Sequence, residues 1–136
     1  MRNTFFIILS CCLLLCSGCK KEDFVSNTYK ASFEYNLANP TNQHTVETLL
    51  NNNSSIWTNE IELTLVSTAT TDTEAKTKFE ASVVAVLAEG RNLMSFFENS
   101  DYIVYTLKRT TPGNEKILRQ VKFHKGSNGR IDHENI

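Results

Sequence analysis

Beyond position 19 this chain contains no cysteine. Residues 20–136 therefore cannot form a disulfide, cannot present a thiol nucleophile and cannot offer thiolates to a metal. Glycine is also scarce, with five in 136 residues, and no glycine-rich stretch of the kind that cradles phosphates occurs. No serine sits in a glycine elbow between a strand and a helix, which removes one common setting for nucleophilic catalysis. The formal net charge is only −1, so a generic nucleic-acid binder is not expected. The longest apolar run, Phe5 to Cys16, is twelve residues. A helix needs about 20 apolar residues to cross a bilayer, so the run is too short to span one.

That run has the layout of a secretory signal instead. Arg2 gives a positive start, Phe5 to Cys16 an apolar centre, and Ser17 and Gly18 the small residues a peptidase requires. The tetrapeptide Cys16-Ser17-Gly18-Cys19 resembles the lipobox of bacterial lipoproteins, with Cys16 in the place where leucine is usual. The resemblance implies cleavage between Gly18 and Cys19 and attachment of three acyl chains, palmitate among them, to Cys19. One acyl chain holds a protein only marginally, at about 0.8 kcal/mol per buried methylene, whereas three make attachment effectively permanent. Lys20 stands where an aspartate would retain such a protein in the inner membrane, so the outer membrane is implied. Lys21-Glu22-Asp23 resembles the surface-export signal of Bacteroidota-type lipoproteins and implies display on the cell surface, with a periplasm-facing orientation as the alternative.

Four segments follow from this reading. Residues 1–18 are a lipoprotein signal peptide, 19–27 the lipidated cysteine and tether, 28–125 a single α+β domain, and 126–136 a polar flexible tail. The eight residues from Lys20 to Asn27 reach at most about 26 Å, which keeps the domain close to the membrane.

Within the domain the periodicity changes several times. From Thr28 to Leu37, Tyr29, Ala31, Phe33, Tyr35 and Leu37 alternate with polar residues, which predicts a half-buried strand. Asn36 to Asn59 holds seven asparagines and reads mostly as loop, with a short helical turn at Val46, Leu49 and Leu50. Ile61, Leu63 and Leu65 predict a second strand, with Trp57 at the start of its apolar face and Glu60 and Glu62 turned to water. Thr71 and Glu74 have the spacing of a capping box, and Phe79, Val83, Val86 and Leu87 follow at helical spacing. The helix either runs on to Glu98 or ends at Gly90 with a short second helix after it. Tyr102–Arg109 and Ile117–His124 form a hairpin through a type II turn at Pro112-Gly113. Both strands carry apolar residues on both faces, with Ile117, Val121 and Phe123 opposite Leu118, so the hairpin is expected near the centre of a sheet.

The expected architecture is a two-layer α+β sandwich in the order ββαββ, a four-stranded, mainly antiparallel sheet on one helix. A β-grasp-like arrangement with its first and last strands parallel fits this order, and a purely antiparallel sheet fits it equally.

Chemistry is sparse. The histidines, His44, His124 and His133, are scattered and predict neither metal site nor cofactor, and no catalytic residues stand out. The stretch from Lys108 to Arg130 holds seven basic residues and one acid, Glu115, while acids dominate before it. That makes the chain dipolar; solvated strand edges explain it, and so does an anion-contacting face. Trp57 beside the asparagine-rich loop suggests a glycan-contacting edge if it is not simply core, and Tyr102 and Val104 suggest a protein-partner face. The expectation is a non-enzymatic surface module that binds a protein or glycan. The alternatives are a periplasm-facing structural lipoprotein in envelope assembly and a small inhibitor or immunity-type protein.

Overall fold

The computed structural model describes residues 24–136. Strand β1 (Val25–Asn36) is followed by helix α1 (Pro40–Asn51), β2 (Glu60–Leu65), α2 (Thr68–Ala88), α3 (Gly90–Met94), β3 (Tyr102–Thr111), β4 (Asn114–Lys125) and β5 (Ile131–Asn135). The five strands form one sheet in the order β2-β1-β3-β4-β5, and every neighbouring pair is antiparallel. The α+β class and the antiparallel pairing agree with the sequence. The four-strand count, the ββαββ order and the β-grasp arrangement do not: a helix separates the first two strands, a fifth strand closes the far edge, and among the described residues no strands run parallel.

Each departure has a physical cause. The asparagine-rich segment holds a full helix because Asn39 and Pro40 start one. The Asn39 Oδ1 accepts from the amides of Thr41 (2.9 Å) and Asn42 (3.3 Å), and Pro40 occupies the first turn, where no amide hydrogen is needed. Val46 and Leu50 then reach the core. Helix α2 begins a turn before the expected capping box, because the Ser67 hydroxyl, rather than that of Thr71, caps it by accepting from Thr70 N. Its continuation breaks at Glu89, and Gly90 opens the separate α3. Strand β1 starts at Val25 rather than Thr28, since Val25, Ser26 and Asn27 pair with Leu65, Thr64 and Leu63 of β2. The expected tail at 126–136 supplies β5, which pairs with Val121–Lys125 after a turn at Gly126 and Gly129.

The helices α1 and α2 bury their apolar sides against one face of the sheet. Asn27, Tyr29, Ala31, Ile103, Tyr105, Leu107, Val121 and Phe123 from the strands meet Ala75, Phe79, Val83 and Val86 of α2. At the centre, Phe33, Tyr105 and Phe79 stack in a file, with ring centroids 4.2 and 4.4 Å apart. The Pro112-Gly113 turn forms as expected, with Gly113 at φ +77°. A bulge next to Leu107 leaves Leu118 as the extra residue of β4. Leu118 therefore packs on the core while Ile117, opposite Lys108, turns to the open face, reversing the faces expected from alternation. All core side chains among the described residues fall between Asn27 and Phe123, so the chain from Lys20 onward carries a closed core.

Candidate functional site

The described part of the molecule holds a polar cluster beneath the start of α2, a polar groove beside the asparagine-rich loop, and a cleft at the far end of the sheet.

In the polar cluster, the Tyr29 hydroxyl lies 2.6 Å from both Thr71 Oγ1 and Asp72 Oδ1. Arg109 Nη1 donates to Asp72 Oδ2 at 2.5 Å, and Asn27 Nδ2 donates to Thr71 Oγ1 at 2.9 Å. The cluster joins β1, β3 and the first turns of α2, and Asp72 and Arg109 are both mostly buried. Among the described residues each buried polar atom of the cluster is hydrogen-bonded to a neighbour, and neither the cleft nor the groove described below is lined by its residues. It clamps the helix to the sheet.

Burial, reinforced by the Asp72 carboxylate that accepts its proton, pushes the Tyr29 hydroxyl up from 10.0 to about 12. Burial likewise lifts Tyr105 to about 12. A phenol that holds its proton more tightly when folded contributes its full stability below pH 10 and loses it as pH rises toward 12. The urea midpoint should therefore stay level to about pH 10 and fall steeply above it. Tyr29→Phe should flatten that fall. A folded-state phenol titration, read by ultraviolet absorbance, centred at 10 for all tyrosines contradicts this.

The other residues singled out by sequence are dispersed. Gly18, Cys19, Lys21, Glu22 and Asp23 lie outside the described residues. His44 is on α1, His124 on β4 and His133 on β5, and among the described residues no three His, Cys, Asp or Glu side chains gather as a metal-binding group. Trp57 is only 5% exposed. Its Nε1 donates to Asn59 O at 2.7 Å, its amide donates to Ser82 Oγ at 2.9 Å, and its carbonyl accepts from the Tyr105 hydroxyl. Pinned at all three atoms, it is a core residue and not a stacking platform. The asparagine-rich loop beside it borders a polar groove of about 530 Å³ lined by Asn51, Asn53, Ser54, Thr58 and Lys78. On the face of the sheet away from the helices, Tyr102 accepts from Asn36 Nδ2 and lies under the Lys122 ammonium, 4.7 Å from its ring centre. Val104 beside it is 8% exposed, sheltered by these polar neighbours.

The cleft is the larger feature, about 620 Å³, between α3 and the β4–β5 turn. Leu87, Met94 and Ile131 form its apolar lining, and Arg91, Lys125 and Arg130 bring three cations to it. Gly90 makes this arrangement possible. A Cβ at position 90 would lie 2.3 Å from Ile131 Cγ2 and 3.0 Å from Ile131 Cβ, so only glycine lets β5 close against α3. Lys125 Nζ donates to Phe97 O at 3.3 Å, which ties the end of β4 to the segment after α3.

Sequence reasoning did not find this cleft. The basic C-terminal quarter was visible, and so was the break at Gly90. Neither signal placed Arg91 and Arg130 on one cleft, because that depends on a fifth strand that the polar tail does not advertise. No family model matches the chain, and neither a curated protein nor a solved structure matches it.

Proposed function

We propose that this protein is a lipid-anchored outer-membrane lipoprotein whose single α+β domain is a non-enzymatic binding or accessory module displayed at the cell surface. The observation that carries the reading is the heptapeptide Ser17-Gly18-Cys19-Lys20-Lys21-Glu22-Asp23, with its lipobox cysteine and export-like charges. The position of the first strand supports it. Val25 follows Cys19 by six residues, so the lipid on Cys19 holds the domain within about 20 Å of its point of attachment. Its buried polar side chains are hydrogen-bonded within the fold, and its open features include a cleft and a groove suited to a small ligand, a glycan or a partner segment.

The anchor is tested by fractionation. Cys19→Ala should move the protein from the membrane to the soluble fraction essentially completely, since no helix among the described residues is long and apolar enough to cross a bilayer. Retention of the variant in membranes removes the lipid assignment. Protease treatment of intact cells tests the address. Loss of the domain without lysis supports surface display, and full protection favours the periplasm-facing structural role.

A further inference from the structure

We infer that the cleft between α3 and the β4–β5 turn binds a single-chain anionic amphiphile, an alkyl chain ending in a phosphate or carboxylate. The inference rests on the reading of the domain as a binding module and names its ligand class. Its first two observations do not depend on where the protein is anchored.

Three observations combine. The first is shape and lining: about 620 Å³ lies within the range of small-molecule sites, and Leu87, Met94 and Ile131 give it an apolar surface for a chain. Met94, unbranched and adaptable, suits contact with a flexible chain.

The second is charge. Arg91, Lys125 and Arg130 reach the cleft from three segments of the chain, and no carboxylate lines it. Among the described residues none of the three is in an ion pair; the four pairs present involve Lys108, Arg109, Arg119 and Lys122 instead. Four basic side chains of the sheet thus have an acidic partner, whereas among the described residues the three at the cleft have none, and Lys125 is held there by Phe97 O. Arg91 and Arg130 are exposed and can form the forked hydrogen bonds that phosphate and carboxylate accept.

The third is position, which separates a free amphiphile from the surface of a bilayer. The chain enters the sheet at Val25, beside the Thr111–Asn114 turn, and β1 runs twelve residues away from it to Asn36. Asn36 pairs with Tyr102, Tyr102 with His124, and Lys125 at the cleft follows directly. The cleft is therefore at the opposite end of β1, about 35 Å from the entry point of the chain. If a lipid on Cys19 holds the N-terminal end, the cleft lies at the end of the sheet away from it. A monomeric ligand can reach it from solution.

The experiment uses residues 20–136, which carry the closed core, and isothermal titration calorimetry with dodecyl phosphate kept below its critical micelle concentration. One-to-one binding with a micromolar Kd is expected. Inorganic phosphate, which has the charge without the chain, and dodecyl maltoside, which has the chain without the charge, should each bind at least tenfold more weakly. Octyl phosphate should also lose at least tenfold, since each buried methylene is worth about fourfold in affinity. Arg91→Gln/Arg130→Gln should weaken dodecyl phosphate at least tenfold with an unchanged circular dichroism spectrum. Absence of heat with dodecyl phosphate overturns the inference, as does equal affinity for the maltoside. Capture of the domain by phosphatidylglycerol vesicles without binding of the monomeric probe also overturns it, and identifies a membrane-contacting patch instead. The chain-length series stands even if the double variant fails to fold. None of these results alters the Cys19→Ala fractionation, so the anchor and the ligand fail separately.

Discussion

Asp72→Ala should lower the unfolding free energy by about 3 kcal/mol, the larger part of it from a cation left without its partner in a mostly buried place. In the folded protein Asp72 receives Arg109 on one oxygen and the Tyr29 hydroxyl on the other, with side-chain exposures of 18% for Asp72 and 15% for Arg109. Surface ion pairs contribute little because water screens them and their side chains are mobile. Here neither argument applies in full: the guanidinium is fixed beside β1, and the carboxylate is held on a helix that packs on the same strands. Removing the carboxylate strands the guanidinium and takes away an acceptor from Tyr29. Asp72→Asn keeps an acceptor and loses the charge, so it should cost about half as much. The double change Asp72→Ala/Arg109→Ala should be less harmful than the sum of the single changes, with a coupling of 1–3 kcal/mol by urea denaturation. Strict additivity would show that the pair contributes nothing as a pair. Tyr29 supplies an independent reading. Losing the Asp72 acceptor removes one of the causes that raise its hydroxyl, so its alkaline titration should move downward from about 12.

What sequence could and could not convey follows from how far each signal extends along the chain. The alternation of Tyr29, Ala31, Phe33 and Tyr35 encodes a strand in the chain itself, because a half-buried sheet imposes a period of two. Tyr29 and Ala31 are buried, Phe33 and Tyr35 pack partly buried against the same core, and Phe33 stacks on Tyr105, as that reading predicts. The Pro112-Gly113 turn is equally local, since fixed φ at one residue and positive φ at the next decide its type. The α1 helix was half legible. Its Asn39-Pro40 start is a written signal, but Val46 and Leu50 are its only buried residues and the surrounding asparagines masked it. Thr71 illustrates the opposite error. Its spacing to Glu74 mimics a cap, yet its hydroxyl faces Asn27 and Tyr29, forty residues earlier. Strand β5 was illegible because Ile-Asp-His-Glu-Asn has one apolar residue and no alternation. Its strand state comes from pairing with β4 and from the fit of Ile131 over Gly90, both tertiary. The cleft inherits that illegibility. Its cations lie at positions 91, 125 and 130, and only the completed sheet edge assembles them.

The contact between Gly90 and Ile131 accordingly carries both stability and ligand binding, and Gly90→Val should disturb the two together. Glycine here is demanded by space: the backbone is helical, and any Cβ would come within 2.3 Å of Ile131 Cγ2. Ile131 is β-branched and belongs to a strand paired with Lys125, so it cannot swing aside without β5 shifting. Overpacking of this kind costs about 1–3 kcal/mol, and valine, which adds two methyl groups beyond the Cβ, should fall at the upper end. The cost should appear chiefly as opening of the edge. Amides of Ile131–Asn135 and their partners on β4 should exchange with deuterium at least tenfold faster, while those of β1 and β3 stay protected. Dodecyl phosphate binding should weaken with it, because Ile131 and Arg130 leave the cleft wall. Shortening the opposing side chain provides the control. In Gly90→Ala/Ile131→Ala the 2.3 Å clash with Cγ2 is removed and only the 3.0 Å approach to Cβ remains, so the double variant should be more stable than Gly90→Ala alone and its β5 amides slower to exchange. If Gly90→Val instead leaves exchange across β5 unchanged, α3 and β5 are not in the close contact described, and the cleft loses its wall.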